Sequence, residues 1–316
     1  MVSICLVSFP RFPIGIDLCN RSYELSARSE PPITRQCVVA PIYNITNGYA
    51  NIKGKISRGR IMSIIKNEIP ILEFDSEQIA VINPTHEKLD VKLPRKCVFA
   101  FVGEYIDEYA KKNNARKVSE FLSTTKIYPV YVVDYQGEEI TLCQAPVGAA
   151  ASAQILDWLI GYGVREIIST GSCGGLTMFP ESTILVPYKA LRDEGASYHY
   201  ALPSRFMDIS EKARKAIEET ILEHGMKYQE VVTWSTDGFY RETKDMVEYR
   251  KSEGCEVVEM ECSALAACAA FRGVTWGMIL YTADSLADVD KYDERNWGGN
   301  AYEYALILCL DAVRKL

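Results

Sequence analysis

From Cys97 onward, short apolar runs alternate with amphipathic stretches. Val98-Phe99-Ala100-Phe101-Val102 is continuous enough for a buried strand, and residues 106–122 then predict a helix. Val130-Tyr131-Val132-Val133 and Glu139-Ile140-Thr141-Leu142 flank Gln136-Gly137, which reads as a hairpin. Residues 149–160 predict a helix whose apolar stripe is Ile155, Leu156, Leu159 and Ile160. Ile167-Ile168-Ser169 reads as a strand running into glycines, and Ile184-Leu185-Val186-Pro187 as another. Further helices are predicted over residues 210–224, 244–252, 260–271 and 302–314, with strands near 229–233 and 275–281. This alternation predicts an α/β layered fold around a largely parallel or mixed sheet. No internal repeat or low-complexity tract interrupts it.

Composition narrows the classes. The chain is 48% apolar and 24% charged, ordinary for a globular protein with a sizeable core. A net charge of −7 without any basic run argues against nucleic-acid binding. Ten cysteines contain no Cys-x-x-Cys pair, and with only three histidines there is no metal-ligand spacing. Cys262, Cys268 and Cys309 fall in apolar helical patterns, as small buried hydrophobes of a reducing cytoplasm do. No apolar run approaches the about 18 residues of a membrane span.

Residues 1–61 differ from the rest. They carry eight Lys/Arg against three Asp/Glu, a net +5, which leaves −12 for residues 62–316. Met1 to Pro10 lacks a basic start and is broken by Pro10-Arg11-Phe12-Pro13, unlike a signal peptide. Residues 1–61 are therefore expected to be a poorly ordered arm or to be untranslated, with synthesis starting at Met62 and one domain over 62–316.

The stretch richest in chemistry is Val257-Val258-Glu259-Met260-Glu261-Cys262-Ser263-Ala264, a strand-like approach turning into a small-residue helix. A carboxylate at a helix start lies in the positive end of the helix field. When ionised it offers only acceptors, which suits the two donors of a vicinal diol. The same pair also suits plain complementation of the helix dipole. Ser169-Thr170-Gly171-Ser172-Cys173-Gly174-Gly175 follows a strand, and its glycines let backbone N–H groups converge on an anion. A tight turn with no ligand reads equally well there. Asp284 follows the apolar run 276–281, at the C-terminal end of a strand where α/β sites gather. It also fits a helix cap.

Together with Arg192-Asp193-Glu194-Gly195-Ala196-Ser197-Tyr198-His199 and Ser235-Thr236-Asp237-Gly238-Phe239-Tyr240, these motifs resemble the nucleoside phosphorylase/nucleosidase superfamily. Its branch with hexameric purine nucleoside phosphorylases, uridine phosphorylases and methylthioadenosine nucleosidases is meant. The resemblance runs from about Cys97 to the C-terminus. It implies a three-layer α/β/α fold with a mixed central sheet. It also implies a homo-oligomer, dimer-based and up to a hexamer, using a nucleoside and inorganic phosphate with no metal or organic cofactor.

The resemblance further implies roles. Glu261 would hold the ribose hydroxyls beside Glu259, Met260 would pack on the sugar, and Phe239 and Tyr240 would stack on base and sugar. Asp284 would be the general acid at the base. Ser172 and Gly103 would meet phosphate, with Lys126 at the place of a basic residue lent by a neighbouring subunit and Arg192 turned inward. The chain departs from the phosphorylase pattern at two phosphate arginines, where it has Ser169 and Asp107. Thr243 and Asp245 stand where uridine enzymes carry Gln and Arg, although the 192–199 segment is similar to theirs. The reading is a purine nucleoside phosphorylase of nucleoside salvage. Uridine phosphorylase, a hydrolytic nucleosidase and a catalytically silent nucleoside binder remain as alternatives.

Overall fold

The computed structural model describes residues 63–316, so the extension expected over residues 1–61 lies outside the described part. The described residues fall within one unit, Gly54–Leu316. Two short strands, β1 (Ile64–Ile65) and β2 (Phe74–Asp75), pair antiparallel. The main run is β3 (Lys96–Ala100), α1 (Tyr105–Lys112), β4 (Arg116–Leu122), β5 (Ile127–Tyr135), β6 (Glu138–Gln144), α2 (Ala149–Gly161) and β7 (Glu166–Gly175). It continues through β8 (Ile184–Asp193), β9 (Phe206–Asp208), α3 (Glu211–Glu223), β10 (Gln229–Thr236) and α4 (Lys244–Ser252). The last elements are β11 (Val257–Glu259), α5 (Cys262–Arg272), β12 (Thr275–Ser285) and α6 (Tyr302–Arg314).

Strands β3 to β12 form one mixed ten-stranded sheet. Residues of α2 and α5 share one apolar cluster with the sheet, and residues of α1, α3 and α6 share another. Helices therefore cover both faces, which gives the expected three layers with a mixed central sheet.

One expected helix is wrong. Residues 106–122 are not a single helix: α1 stops at Lys112, Asn114 takes a positive φ of 53°, and the chain returns as β4. Val118 and Phe121 lie three apart, a helical spacing, yet both pack on the same core cluster from a strand. A register shift between Lys117 and Ser119 accounts for it, because a bulge adds one residue against β5.

The sheet also closes on itself. β7 pairs with β12, β12 with β8, β8 with β10, β10 with β11, and β11 back onto β7 through Val257↔Gly175 and Val258↔Gly174. Both β7 and β12 are longer than the sequence predicts, because their ends make this ring. Gly174 permits the closure: a Cβ there would lie 2.9 Å from Leu286 Cδ1 and 3.1 Å from Asp284 Oδ1. A cavity opens beside these strand ends.

Candidate active site

The cavity, about 440 Å³, is lined by residues of β7, β11 and β12, the loops after β3 and β6, and the segments near Phe239 and Trp297. That volume is in the range of small-molecule sites. Its chemistry divides into three ends.

At the first end, the Glu-Met-Glu motif joins β11 to α5. Glu259 is buried, and Oε1 accepts from Thr233 Oγ1 (3.1 Å) and Ser235 Oγ (2.6 Å). Its Oε2 accepts the backbone N–H groups of Glu261 and Cys262, both at 2.7 Å. A carboxylate offers about four acceptor positions, and here all are used. Burial pushes the Glu259 carboxyl up, and these four donors oppose the shift. Glu259 thus anchors the start of α5, which corrects its expected part as a ligand of the sugar.

Glu261, the N-cap of α5, does not cap with its side chain; it accepts the N–H of Gly148 at the start of α2. Gly148 has a φ of +103°, which only glycine adopts readily. Only 6% exposed, Glu261 lines the cavity with no side-chain donor upon it among the described residues. Burial, reinforced by the neighbouring Glu259 charge, pushes its carboxyl from 4.5 up to about 8. Met260 lies between the two carboxylates and also lines the cavity.

The second end gathers Phe239, Asp284, Glu242 and Trp297. Asp284 is buried near the end of β12 and accepts the Tyr292 hydroxyl at 3.1 Å. Burial pushes its pKa up, while Tyr292 and Arg295 pull it down. Phe239 and Trp297 have ring centroids 6.4 Å apart, tilted 39°. Tyr240 corrects the expected pair. It packs edge-on against Phe239 but is 91% exposed and outside this cavity.

At the third end are Gly103, with a φ of +57° after β3, and Gly171, Ser172 and Cys173 of β7, together with Gln144 and Tyr128. Lys126 stands behind them: Nζ donates to Gln144 Oε1 at 2.8 Å and lies 5.5 Å from the Tyr128 ring centroid. Arg192 does not turn inward. Its guanidinium donates to Ser197 Oγ (2.9 Å), Ser204 Oγ (2.9 Å), Leu202 O (2.7 Å) and Ala201 O (3.2 Å), and stacks over Tyr198. It ties down its own loop. Ser169 and Asp107 are also engaged elsewhere. Ser169 Oγ accepts from Trp276 Nε1 at 3.0 Å, and Asp107 accepts the Tyr131 hydroxyl at 2.8 Å. No Lys, Arg or His lines the cavity among the described residues.

Glu242 and Trp297 were not marked in the sequence. Glu242 sits one position before Thr243, in a loop where neither period of two nor of 3.6 points to a cavity. Trp297 has a positive φ of 53° in an irregular stretch, and nothing in its spacing ties it to Phe239.

Residues 95–308 match the model of the phosphorylase superfamily. Among curated relatives, a guanosine phosphorylase of Halorubrum lacusprofundi is 26% identical over 168 residues, covering 51% of this chain and 67% of its own. A purine nucleoside phosphorylase of the DeoD type from Bacillus cereus is 26% identical over 190 residues, 58% of this chain and 74% of its own. Among solved structures, uridine phosphorylase from Vibrio fischeri superposes with a TM-score of 0.60 at 24% identity, covering 72% of this chain and 95% of that one.

Proposed function

The chain belongs to the phosphorylase superfamily, and from that premise we propose that its cavity binds a purine nucleoside and cleaves the N-glycosidic bond. Phosphate takes the ribosyl group, giving free base and ribose 1-phosphate. The supporting observation is that Glu261, Phe239 and Asp284, from three separate elements, line one cavity.

The roles follow from the chemistry. Cleavage builds positive charge on the sugar ring and negative charge on the departing base. Glu261 accepts hydrogen bonds from the ribose 2′ and 3′ hydroxyls, Met260 packs on the sugar, and Phe239 stacks on the base. Asp284, whose pKa burial raises, donates to the purine N7, a step that contributes about 10²–10⁴-fold. Uracil has no such ring nitrogen, which favours a purine. Ser172 and Gly103 contribute donors at the acceptor end. Seven described cysteines, all unpaired and buried, suit a reducing cytoplasm.

A second reading, hydrolysis, is favoured by one observation. Phosphate is a dianion that arginine forks match, yet no described cation lines the cavity. Phosphorolysis requires that Lys126 leave Gln144 or that a neighbouring copy in a homo-oligomer supply the charge. Water requires neither. Incubating the protein with guanosine, inosine, adenosine and uridine, with and without phosphate, separates the readings. Phosphate-dependent release with ribose 1-phosphate supports phosphorolysis; equal release as free ribose supports hydrolysis. Binding without release from any nucleoside overturns both.

A further inference from the structure

A second cavity, of about 490 Å³, adjoins the first at its aromatic end. Phe239, Glu242, Asp284 and Trp297 line both, so the two meet there. Glu259, Met260 and Glu261 of the sugar end line only the first, as do the glycines of β7. The second cavity therefore lies past the base, on the side away from the sugar.

Its wall is apolar. Val247 of α4 is buried, and Leu286 and Val289 pack with it in one hydrophobic cluster. Phe239, Tyr240, Tyr292 and Trp297 complete the wall, and all four rings are exposed. Aromatic rings gathered around one groove leave a contiguous apolar patch for a ligand to cover. The charged groups beside it are committed: Lys244 pairs with Asp290, and Asp288 accepts the Asp290 N–H at 3.1 Å. Lys244 is the only cation lining this cavity among the described residues. A phosphate or carboxylate entering the groove would thus be desolvated without a partner.

The part of the ligand that reaches the groove can be deduced. With Asp284 facing N7 of a purine, the two substituent positions on that edge are C8 and C6. C8 adjoins N9, the nitrogen bonded to the sugar, so a group on C8 points back toward the sugar end. The exocyclic group on C6 projects past N7 on the far side.

Resting on the nucleoside reading above, we propose that this annex receives an apolar substituent on the 6-position, which extends the substrate class to 6-alkylamino purine nucleosides. N7 of such a base keeps its lone pair for the Asp284 proton, and the alkyl chain covers the exposed rings. The chain stays on the base throughout the reaction. Its burial therefore stabilises ground state and transition state alike, which lowers KM and leaves kcat in place.

The test compares adenosine with its 6-methylamino and 6-butylamino forms in the wild type, Val289→Asp and Val289→Trp, with folding checked by thermal melting. Val289 is partly buried on the loop after β12; the first variant makes the annex wall polar and the second fills it. Burying one methylene changes affinity about fourfold. Three added methylenes in an open groove should raise kcat/KM about tenfold or more from methyl to butyl, through KM. Both variants should bring that ratio near one. A butyl form cleaved no better than the methyl form, or a ratio unchanged in either variant, overturns the annex. Calorimetry with free 6-methylaminopurine and 6-butylaminopurine separates the annex from the reaction. If no nucleoside is cleaved but the butyl base binds more tightly and Val289→Asp removes the gain, the proposed reaction falls and the annex stands. If neither base binds, both fall.

Discussion

Glu259 holds Glu261 in place: the Oε2 atom of Glu259 accepts the backbone N–H of Glu261 at 2.7 Å. The Glu261 side chain then turns the other way, to Gly148 and the cavity. Two glutamates separated by one methionine therefore do unlike work, and substitution separates them.

Glu259→Gln puts an amide NH₂ among four donors, so at least one donor is left unsatisfied. A loss of about 1–3 kcal/mol in stability is expected, read as a lower melting temperature. Glu261→Gln should fold at least as well as the wild type but lose about 2–4 kcal/mol of transition-state stabilisation, read as kcat/KM. Equal melting temperatures in Glu259→Gln and the wild type would contradict the anchoring role.

The raised Glu261 carboxyl has a defined pH signature. Between pH 4.5 and about 8 it stays protonated when folded and ionises when unfolded, so the folded state binds more protons. Stability must then fall as pH rises through that window. Glu261→Gln removes the group, so the wild type should lose stability relative to this variant from pH 5 to 8. Above pH 8 the difference should level. Denaturant melts across pH 5–9 measure it, and a difference independent of pH would mean that the carboxyl titrates normally.

Asp284→Asn should slow purine nucleosides by about 10²-fold or more while sparing nucleosides whose base leaves without protonation. Tyr292→Phe tests the same acid from its partner. The Tyr292 hydroxyl favours ionised Asp284, so its loss should raise the pKa further. The alkaline fall in kcat should then move to higher pH, and a fall unmoved or moved downward would rule out Asp284 as the proton donor.

Arg192→Met removes four hydrogen bonds and a stacked ring contact. A destabilisation of about 2–3 kcal/mol is expected from the carbonyls and hydroxyls left behind. The KM for phosphate should stay within about twofold, because the guanidinium is committed to its own loop; a KM raised tenfold would return Arg192 to the acceptor end.

Elements with their own start and stop signals were legible in the sequence. The helices over 244–252 and 302–314 match α4 and α6, and Thr243 caps α4 by accepting from Met246 N–H. Residues 116–122 were misread because a bulged strand can carry a helical spacing, and only the partner strand β5 reveals it. Glu261 and Asp284 were legible from a helix start and a strand end, Phe239 and Met260 only from the resemblance, and all four line the cavity. Glu242 and Trp297 lie on irregular backbone, where position depends on the whole fold. Arg192 misled for another reason: a guanidinium serves a carbonyl cluster as readily as an anion, and the sequence does not show which it meets.

The closing of the β7–β12–β8–β10–β11 ring also sets an order of events in time. Val257 meets Gly175 across about eighty residues of chain, and such distant pairings form slowly because the intervening loop must first be brought together. Hairpin β5–β6 and the helices need no such search. The nascent chain is therefore expected to acquire its local elements early and its cavity late, when Val257 and Val258 of β11 dock on β7 and swing the Glu-Met-Glu turn into position.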